Sequence, residues 1–288
     1  MKPKLKYVKS PLNYMGGKFK QLDSLLENFP ENVDCFVDLF GGGFNVGINV
    51  DANKIIYNDQ IKYLVDLFNY FKNNNISNIL SSIDSIISEY ELSKENNLGY
   101  NRLRIDYNKT KDILKLLVLI FFSFNHQIRF NNNHEFNTPF GKNRSSYNSS
   151  IKSNLIDFIE VIKEKNVEFI NGNFTDFPFE ELSSDDFVYC DPPYLITNGS
   201  YNDGNRGFKD WTEAEEVALL NVLDELNNRG IKFALSNVFL HNGLENTKLT
   251  EWSKKYNVIK LDNVNYNNSN YQSKSKDYLT LEVIVKNY

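Results

Sequence analysis

The chain has 288 residues, of which 24% are charged and 14% aromatic, and its formal net charge is −5. This composition excludes a wholly disordered chain and argues against a protein that coats nucleic acid non-specifically. Two cysteines and three scattered histidines exclude a disulfide framework and a four-ligand zinc site, and they fit a reduced cytoplasm. The longest apolar run, at 113–124, predicts a buried helix because it is too short to span a membrane.

The first elements alternate between strand and helix. Residues 35–50 (CFVDLFGGGFNVGINV) predict a short strand, a tight glycine turn and a helix. Residues 54–59 (KIIYND) predict a second strand that ends in an acid, and 60–73 have the apolar spacing of a helix. This order is typical of a parallel, open α/β sheet.

The middle of the chain breaks that alternation. Residues 76–124 have helical patterns without a strand between them, and 126–143 (HQIRFNNNHEFNTPFGKN) predict an exposed, polar β-hairpin. Alternation then resumes, with helices predicted at 155–166 and 213–230, a strand and loop at 167–174, and strands at 186–190, 232–237 and 278–288. We therefore predict a Rossmann-like open sheet built from 1–65 and 150–288, interrupted by a mostly helical lobe at 66–149 that carries the hairpin.

The glycine turn DLFGGG (38–43) is the first candidate site. Glycines let a ligand approach the backbone, and a following helix would offer its first amides. Asp59 falls 21 residues beyond Asp38, at a strand end where an acid can accept the hydroxyls of a ribose. Val46 replaces the third glycine of a dinucleotide fingerprint, which favours a nucleoside without pyrophosphate over an oxidoreductase cofactor. A glycine turn that serves only packing is the alternative.

The tetrapeptide DPPY (191–194) is the second candidate site. Its prolines donate no amide hydrogens, so Asp191 and the Pro192 carbonyl are acceptors beside the flat ring of Tyr194. Ligands of open sheets bind beyond the carboxyl ends of strands, so this tetrapeptide borders the same crevice as the glycine turn. Acceptors beside an aromatic plane suit an amino group on a planar ring. A plain proline turn is the alternative.

The ordered set of motifs resembles the Dam-type DNA adenine N6-methyltransferases, amino-methyltransferases of the alpha group. The motifs are SPLNYMGGK (10–18), FVDLFGGG (36–43), YND (57–59), IRFNNNHEFNTPFGK (128–142), NGNF (171–174), DFVYCDPPY (186–194), LSN (235–237) and LEVIVKNY (281–288). The resemblance covers nearly the whole chain. It implies methyl transfer from S-adenosyl-L-methionine to N6 of a flipped-out adenine in a short duplex site, without a metal ion.

The resemblance assigns two groups of residues to the reaction. Asp191 and the Pro192 carbonyl would hold the N6 amino group while Tyr194 stacks on the flipped base, which allows direct transfer. Asp59 would bind the ribose, and Asn173 stands where the family more often has aspartate. The implied cofactor-binding residues are Tyr14, Gly16, Gly17, Lys18, Asp38, Gly41, Gly43, Asp59, Asn173, Phe174 and Asp191.

The resemblance also assigns a DNA-binding set: Gln127, Arg129, Asn131, Asn137, Pro139, Lys142, Arg144 and Tyr147. Arg129 can read a guanine and Pro139 can touch a thymine methyl, whereas Lys142, Arg144 and Tyr147 suit backbone contacts. His126 and Gln127 depart from the commoner Asn-Gly-Leu pattern, which leaves GATC and another short site such as CATG open. We expect 195–211 to move and close over the flipped base, and 269–277 to be either a basic DNA-binding hairpin or a solvated turn.

Other functions stay open. N4-cytosine or RNA adenine methylation would use the same chemistry, and a catalytically silent DNA-binding relative would keep only the fold. Asp191 and the whole motif order favour adenine in duplex DNA, while intact DPPY and Asp59 argue against a silent relative. We expect a cytoplasmic monomer from a bacterium or a phage-infected cell that binds double-stranded DNA. A cognate restriction endonuclease can act on the same site without an obligatory complex.

Overall fold

The protein is described by a computed structural model over residues 7–14, 16–131, 133–197, 211–261 and 280–288. The strands are β1 Cys35–Asp38, β2 Lys54–Asp59, β3 Val167–Asn171, β4 Phe187–Cys190, β5 Lys232–His241, β6 Leu244–Glu245, β7 Asn257–Lys260 and β8 Thr280–Lys286. The α-helices are α1 Leu22–Leu26, α2 Lys62–Asn73, α3 Ile76–Glu89, α4 Asn97–Thr110, α5 Ile113–Phe122, α6 Ser149–Glu164, α7 Glu213–Asn228 and α8 Thr247–Trp252.

One mixed sheet forms the centre of the molecule. Its strand order is β3-β2-β1-β4-β5-β8-β7, and β6 pairs with β5. The first five strands in this order run parallel, whereas β8 runs antiparallel to both β5 and β7. The chain reverses its direction across the sheet between β1 and β4, so a crevice opens beyond the carboxyl ends of these two strands. The predicted open α/β sheet is confirmed.

The helices predicted between the second and third strands are confirmed as α3, α4 and α5. Helix α5 begins after Asp112, whose side chain accepts hydrogen bonds from the amides of Leu114 and Lys115. All of its residues except Ile113 and Lys115 are buried, as the apolar run predicts. Within the described ranges, no helix is both long and apolar enough to cross a membrane.

Apolar clusters cover both faces of the sheet. On one face, side chains of β1, β2 and β4 pack with helices α2 to α6; on the other, alternate side chains of the same strands pack with α7 and α8. Helices α3 to α5 therefore share a core with the sheet. Helix α2 runs across the boundary expected at residue 65, and the division into two domains stays a prediction.

Two local predictions differ from the structure. A single 3-10 turn, Gly47–Asn49, follows the glycine turn where we expected a helix. Phe44 adopts a left-handed φ of 59°, and the Gly47 amide donates to Asp38 rather than to a helical carbonyl. The predicted hairpin is reduced to isolated bridges, Phe130 with Phe136 and Ser123 with Phe140, and both Phe130 and Phe136 are buried. The helices α1 and α8 and the short strands β6 and β7 were not predicted.

Candidate active site and recognition surface

The glycine turn after β1 is clamped against β2. The Gly41 amide donates to the Asn58 carbonyl, and the Tyr57 hydroxyl donates to the Gly42 carbonyl. A Cβ atom at Gly41 would lie 2.1 Å from the Tyr57 ring, and Gly42 has a φ of 47°. Only glycine fits Gly41 without displacing the ring, and a side chain at Gly42 would be strained. The sequence thus folds into a tight, open turn at the edge of the crevice.

Two buried aspartates hold the ends of this turn. The Asp38 carboxylate accepts from the Gly47 amide at 3.0 Å, and Asp59 accepts from the amides of Gly42 and Ile61, each at 2.8 Å. Burial raises the pKa of Asp38 to about 7 and that of Asp59 to about 6. Each carboxylate oxygen has a second lone pair, so Asp59 can still accept from a ligand hydroxyl while it anchors the turn.

The N-terminal segment lies against the same turn, as its assignment to the cofactor site requires. A Cβ atom at Gly42 or Gly43 would approach the Tyr14 side chain to 3.0 Å. The Gly17 amide donates to the Tyr14 carbonyl, and Gly16 has a φ of 77°. After this turn, the buried Lys18 side chain lies between the carboxyl end of β4 and strand β8.

Lys18 joins the N-terminal segment to the DPPY motif. Its Nζ lies 2.5 Å from the Tyr194 hydroxyl and 3.1 Å from Oδ1 of Asp191. The Tyr194 hydroxyl also lies 3.0 Å from that same Asp191 oxygen. Burial raises the pKa of Asp191, and the Lys18 ammonium opposes this shift. Lys18, Asp191 and Tyr194 thus form one cluster at the carboxyl end of β4, beside a buried Pro192.

The second Asp191 oxygen, Oδ2, makes no hydrogen bond to any residue that the structure describes. The Asp191 side chain is 18% exposed, whereas Tyr194 is 6% exposed. Asp191 can therefore present one acceptor to a ligand while its other oxygen is fixed by Lys18 and Tyr194.

Aromatic rings line the crevice near the end of β3. Phe174 is buried, and its ring centroid lies 5.5 Å from that of Phe40 and 5.6 Å from that of Trp211. Asn173 caps the following turn by accepting from the Thr175 amide. The Trp211 indole donates to Glu216, which is buried and also accepts from Asn237 of the LSN motif. Glu216 thereby fixes Trp211 in this aromatic group.

The predicted recognition segment, residues 124–147, orients Arg129. Its Nε donates to the Asn137 side chain at 3.1 Å, and its terminal amino groups make no hydrogen bond to the described residues. The side-chain oxygen of Asn137 therefore orients the guanidinium group of Arg129. Asn131 accepts from the amides of Asn133 and Glu135 and donates to the Glu135 side chain, so its polar atoms build the turn.

The remaining DNA-binding candidates fall into two groups. Pro139, Lys142 and Arg144 are exposed, and Arg144 donates to Asn125 while its guanidinium lies 4.8 Å from the ring of Phe124. Tyr147 instead stacks on Phe121 of α5, and its hydroxyl is buried. This placement makes Tyr147 a packing residue, and the phosphate contact expected of it stays a prediction without support.

Gln127 is half-buried. Its carbonyl accepts from the hydroxyls of Ser123 and Thr138, which fixes the backbone before Arg129. The expected closing loop at 195–211 lies mostly outside the described residues, and the basic stretch 269–277 lies wholly outside them. Their roles stay predictions.

Sequence reasoning missed Glu282, Gln21, Trp211 and Phe124. Glu282 is the only acid in the apolar strand β8, TLEVIVK, and an acid on a buried strand was the available signal. Phe124 is 40% exposed beside two left-handed residues, Asn125 and His126. Among the described residues, no group of three or more His, Cys, Asp or Glu side chains could hold a metal ion.

The central, mostly parallel sheet flanked by helices is the arrangement of a Rossmann-like methyltransferase fold. The model of the D12 class N6 adenine-specific DNA methyltransferase family matches residues 14–266, and the chain belongs to this family. This confirms the resemblance drawn from the motifs.

Individual relatives place the chain more closely. It is 52% identical over 282 residues to the type II methyltransferase M.FokI of Planomicrobium okeanokoites and 48% identical over 285 residues to the modification methylase StsI of Streptococcus sanguinis. Each alignment covers 98% of this chain but 43% of the relative, so the chain spans less than half the length of these two proteins. The DNA adenine methylase of Escherichia coli K12 is 26% identical, with 94% of each chain covered.

Proposed function

We propose that the chain is a site-specific DNA methyltransferase that transfers a methyl group from S-adenosyl-L-methionine to N6 of adenine. The observation that carries this proposal is the convergence of Lys18, Asp191 and Tyr194 at the carboxyl end of β4. The glycine turn of the neighbouring strand β1 borders the same crevice. Family membership and the named relatives support the reaction class.

The residues of the crevice fit S-adenosyl-L-methionine. Asp59 is an acceptor for the ribose hydroxyls, and Phe174 with Phe40 offers apolar faces for an adenine ring. The Asp191 carboxylate suits a positively charged sulfonium. When bound, the cofactor supplies an electrophilic methyl group. We assign to the same site residues of the glycine turn, of the N-terminal segment that packs against it, and of the turn after β3. These are Tyr14, Gly16, Gly17, Lys18, Asp38, Gly41, Gly43 and Asn173.

The DPPY residues then act on the target base. Oδ2 of Asp191 and the Pro192 carbonyl accept the two hydrogens of the amino group, which orients its lone pair. Positive charge develops on that nitrogen as it is methylated, and the fixed negative charge of Asp191 stabilises it in a site shielded from water. The Tyr194 ring, tethered by its hydroxyl, is the stacking surface for the flipped base.

The recognition segment supplies the contacts with duplex DNA. Arg129 presents its terminal amino groups to the O6 and N7 atoms of a guanine, with Asn137 fixing the plane of the guanidinium. Lys142 and Arg144 contact the phosphate backbone, and Pro139 packs against a base edge. The site is GATC or another short sequence such as CATG.

The cofactor can be tested without catalysis because the chain has two tryptophans. Trp252 lies on α8 and bonds to Asp224, whereas Trp211 belongs to the aromatic group of the crevice. In a Trp252→Phe variant, S-adenosyl-L-methionine should change the fluorescence of Trp211 with saturation. A saturating calorimetric signal with unchanged fluorescence would place the cofactor away from Phe174.

The reaction is tested by labelled methyl transfer to unmethylated genomic DNA, followed by mapping of the modified bases. Wild type should give N6-methyladenine in one short motif, and Asp191→Ala should give none. Asp51→Ala, which removes an exposed acid, is the matched control and should resemble wild type. Cofactor binding without transfer would favour a silent DNA-binding relative. Label in RNA or in N4-methylcytosine would favour the other substrates.

We further propose that the protein acts in the cytoplasm as a monomer on double-stranded DNA. The names of the relatives, a type II methyltransferase and modification methylases, support a role beside a restriction endonuclease of the same site. Light scattering on the purified chain, with and without a duplex, tests the monomer.

A further inference from the structure

A buried carboxylate, that of Glu282, faces the cluster of Lys18, Asp191 and Tyr194 from the side opposite Asp191. Glu282 lies on β8 and is 5% exposed. Its Oε1 lies 3.1 Å from Nζ of Lys18 and 2.9 Å from the Tyr194 hydroxyl. Its Oε2 accepts from the Gln21 side chain at 2.7 Å. Glu282 therefore touches both residues that hold Asp191.

The hydrogen-bonding capacity of Tyr194 makes this arrangement informative. A phenol has one proton to donate, yet its oxygen lies 3.0 Å from Asp191 and 2.9 Å from Glu282. The Lys18 ammonium lies at the same 3.1 Å distance from each carboxylate. One proton and one positive charge are thus shared between two carboxylates.

The charges around the cluster define its electrostatics. The described groups near Asp191 are Lys18, Tyr194 and Glu282, with Asp38, Tyr189 and Cys190 beneath. Among the described residues, the Lys18 ammonium contacts both the Asp191 and the Glu282 carboxylates. Burial raises the pKa of Glu282, but Lys18 and the bonds from Gln21 and Tyr194 outweigh it and hold that pKa below its usual value. Glu282 is therefore the more readily ionised of the two carboxylates, because burial raises the pKa of Asp191.

We propose that Glu282 is a positioning residue for methyl transfer, which holds Lys18 and the Tyr194 hydroxyl midway so that Asp191 stays available to the substrate amine. This inference rests on the proposed function. Without the Glu282 charge, the Lys18 ammonium would shift towards Asp191. The ammonium would then neutralise the carboxylate that must accept the amine hydrogens and stabilise the developing positive charge.

Glu282→Gln tests this role because it removes the charge and keeps the shape. In this variant the Lys18 ammonium is no longer held between two carboxylates. The maximal methylation rate should therefore fall about 10- to 100-fold, as for other losses of catalytic positioning. Glu282 raises the pKa of Asp191 by its negative charge, so its removal lowers that pKa. The acidic limb of the rate profile should therefore move to lower pH. Glu168→Gln, at an exposed acid on β3 that pairs with Lys54, is the matched control and should change neither quantity.

A second variant separates charge from packing. Gln21→Leu removes the neutral donor to Glu282 and leaves every charge in place. It should lower the rate less than Glu282→Gln and should not move the acidic limb to lower pH. Equal rate losses in both variants with an unmoved acidic limb would show a purely structural role and would overturn the proposal.

A measurement on the free enzyme keeps the inference separate from the proposed function. In protein labelled at aspartate carboxyl carbons, the Asp191 resonance is the one missing from Asp191→Asn. Its titration midpoint should lie at lower pH in Glu282→Gln than in wild type. An unchanged midpoint would overturn the inference even if wild type methylates DNA. An inactive wild type with a shifted midpoint would refute the proposed reaction but not the coupling.

Discussion

The proposed catalytic cluster, formed by Lys18, Asp191, Tyr194 and Glu282, and the proposed recognition segment at 124–147 are built by opposite means. Lys18, Tyr194 and Glu282 come from three distant parts of the chain and are almost fully buried, and each touches the other two. The recognition segment is local in sequence and much more exposed. Its left-handed residues include Asn125, His126, His134 and Asn143, and several of its side chains point to solvent.

This difference separates two tasks. Buried charges in a low-dielectric environment interact strongly, so a catalytic group can be held in one orientation before the substrate arrives. The surface proposed to read DNA instead leaves donors available, because Asn137 fixes only Nε of Arg129. We therefore expect substitutions in the cluster to change the rate of transfer, and substitutions in the segment to change where transfer occurs.

The largest effect is expected from Asp191→Asn. The amide retains one acceptor but loses the charge that faces the amine, so transfer at saturating substrates should fall at least about 100-fold. Affinity for S-adenosyl-L-methionine and for a cognate duplex, measured by calorimetry and anisotropy, should change much less. A rate within a factor of about ten of wild type would remove Asp191 from the chemistry.

The second largest effect is expected from Arg129→Ala. Loss of a bidentate base contact costs about 1–3 kcal/mol, which corresponds to about a 5- to 150-fold loss in kcat/KM on the cognate duplex. Asn137→Ala keeps the charge but releases the guanidinium, so it should show a smaller loss of the same kind. If duplexes substituted at each guanine lose activity equally in wild type and Arg129→Ala, Arg129 does not read a base.

Gly41→Ala should destabilise the glycine turn without changing a residue of the proposed catalytic cluster or of the recognition segment. The new methyl would overlap the Tyr57 ring, and such overpacking typically costs about 1–3 kcal/mol of unfolding free energy. Gly172→Ala is the matched control because its Cβ would meet Asn58 at an ordinary 3.5 Å. Denaturant unfolding compares the two, and equal stabilities would contradict the tight contact.

The pKa of Asp38, raised to about 7 by burial, predicts a dependence of stability on pH. The folded state binds this proton more tightly than the unfolded state does. The resulting stabilisation is complete below about pH 4 and is lost as the pH rises towards 7, with a slope of up to about 1.4 kcal/mol per pH unit. Asp38→Asn should lack this component. A constant difference in unfolding free energy between the two proteins from pH 5 to 8 would refute it.

The smallest effect is expected from Lys142→Ala. A phosphate contact carries no sequence information, so affinity should fall similarly for cognate and unrelated duplexes. The slope of log affinity against log salt should decrease by about one. Selective loss on the cognate duplex would instead make Lys142 a base-reading residue.

The sequence predicted the sheet because its strands are short apolar runs bounded by glycine, proline and acids. It also predicted that Asp38, Asp59 and Asp191 approach one crevice, since each follows or ends a parallel strand. It did not predict β7, whose sequence NVIK is mostly exposed at the sheet edge. The helix expected after the glycine turn failed because Asp38 captures the Gly47 amide, a contact that spacing alone does not reveal.

The site was predicted in part for the same reason. Local motifs identify DPPY and the glycine turn, but Glu282 reaches Lys18 only through the antiparallel pairing of β8 with β5. Trp211 likewise joins Phe40 and Phe174 through a bond to Glu216 on α7. Contacts that depend on long-range packing of single polar residues have no periodic signal in the sequence.

The most direct test of the separation between chemistry and recognition is a map of modified bases in genomic DNA treated with wild type or Arg129→Ala. We expect N6-methyladenine in both maps, in one short motif for wild type and in a motif relaxed at a single position for the variant. An identical motif in both maps, or a modified base other than N6-methyladenine, would contradict it.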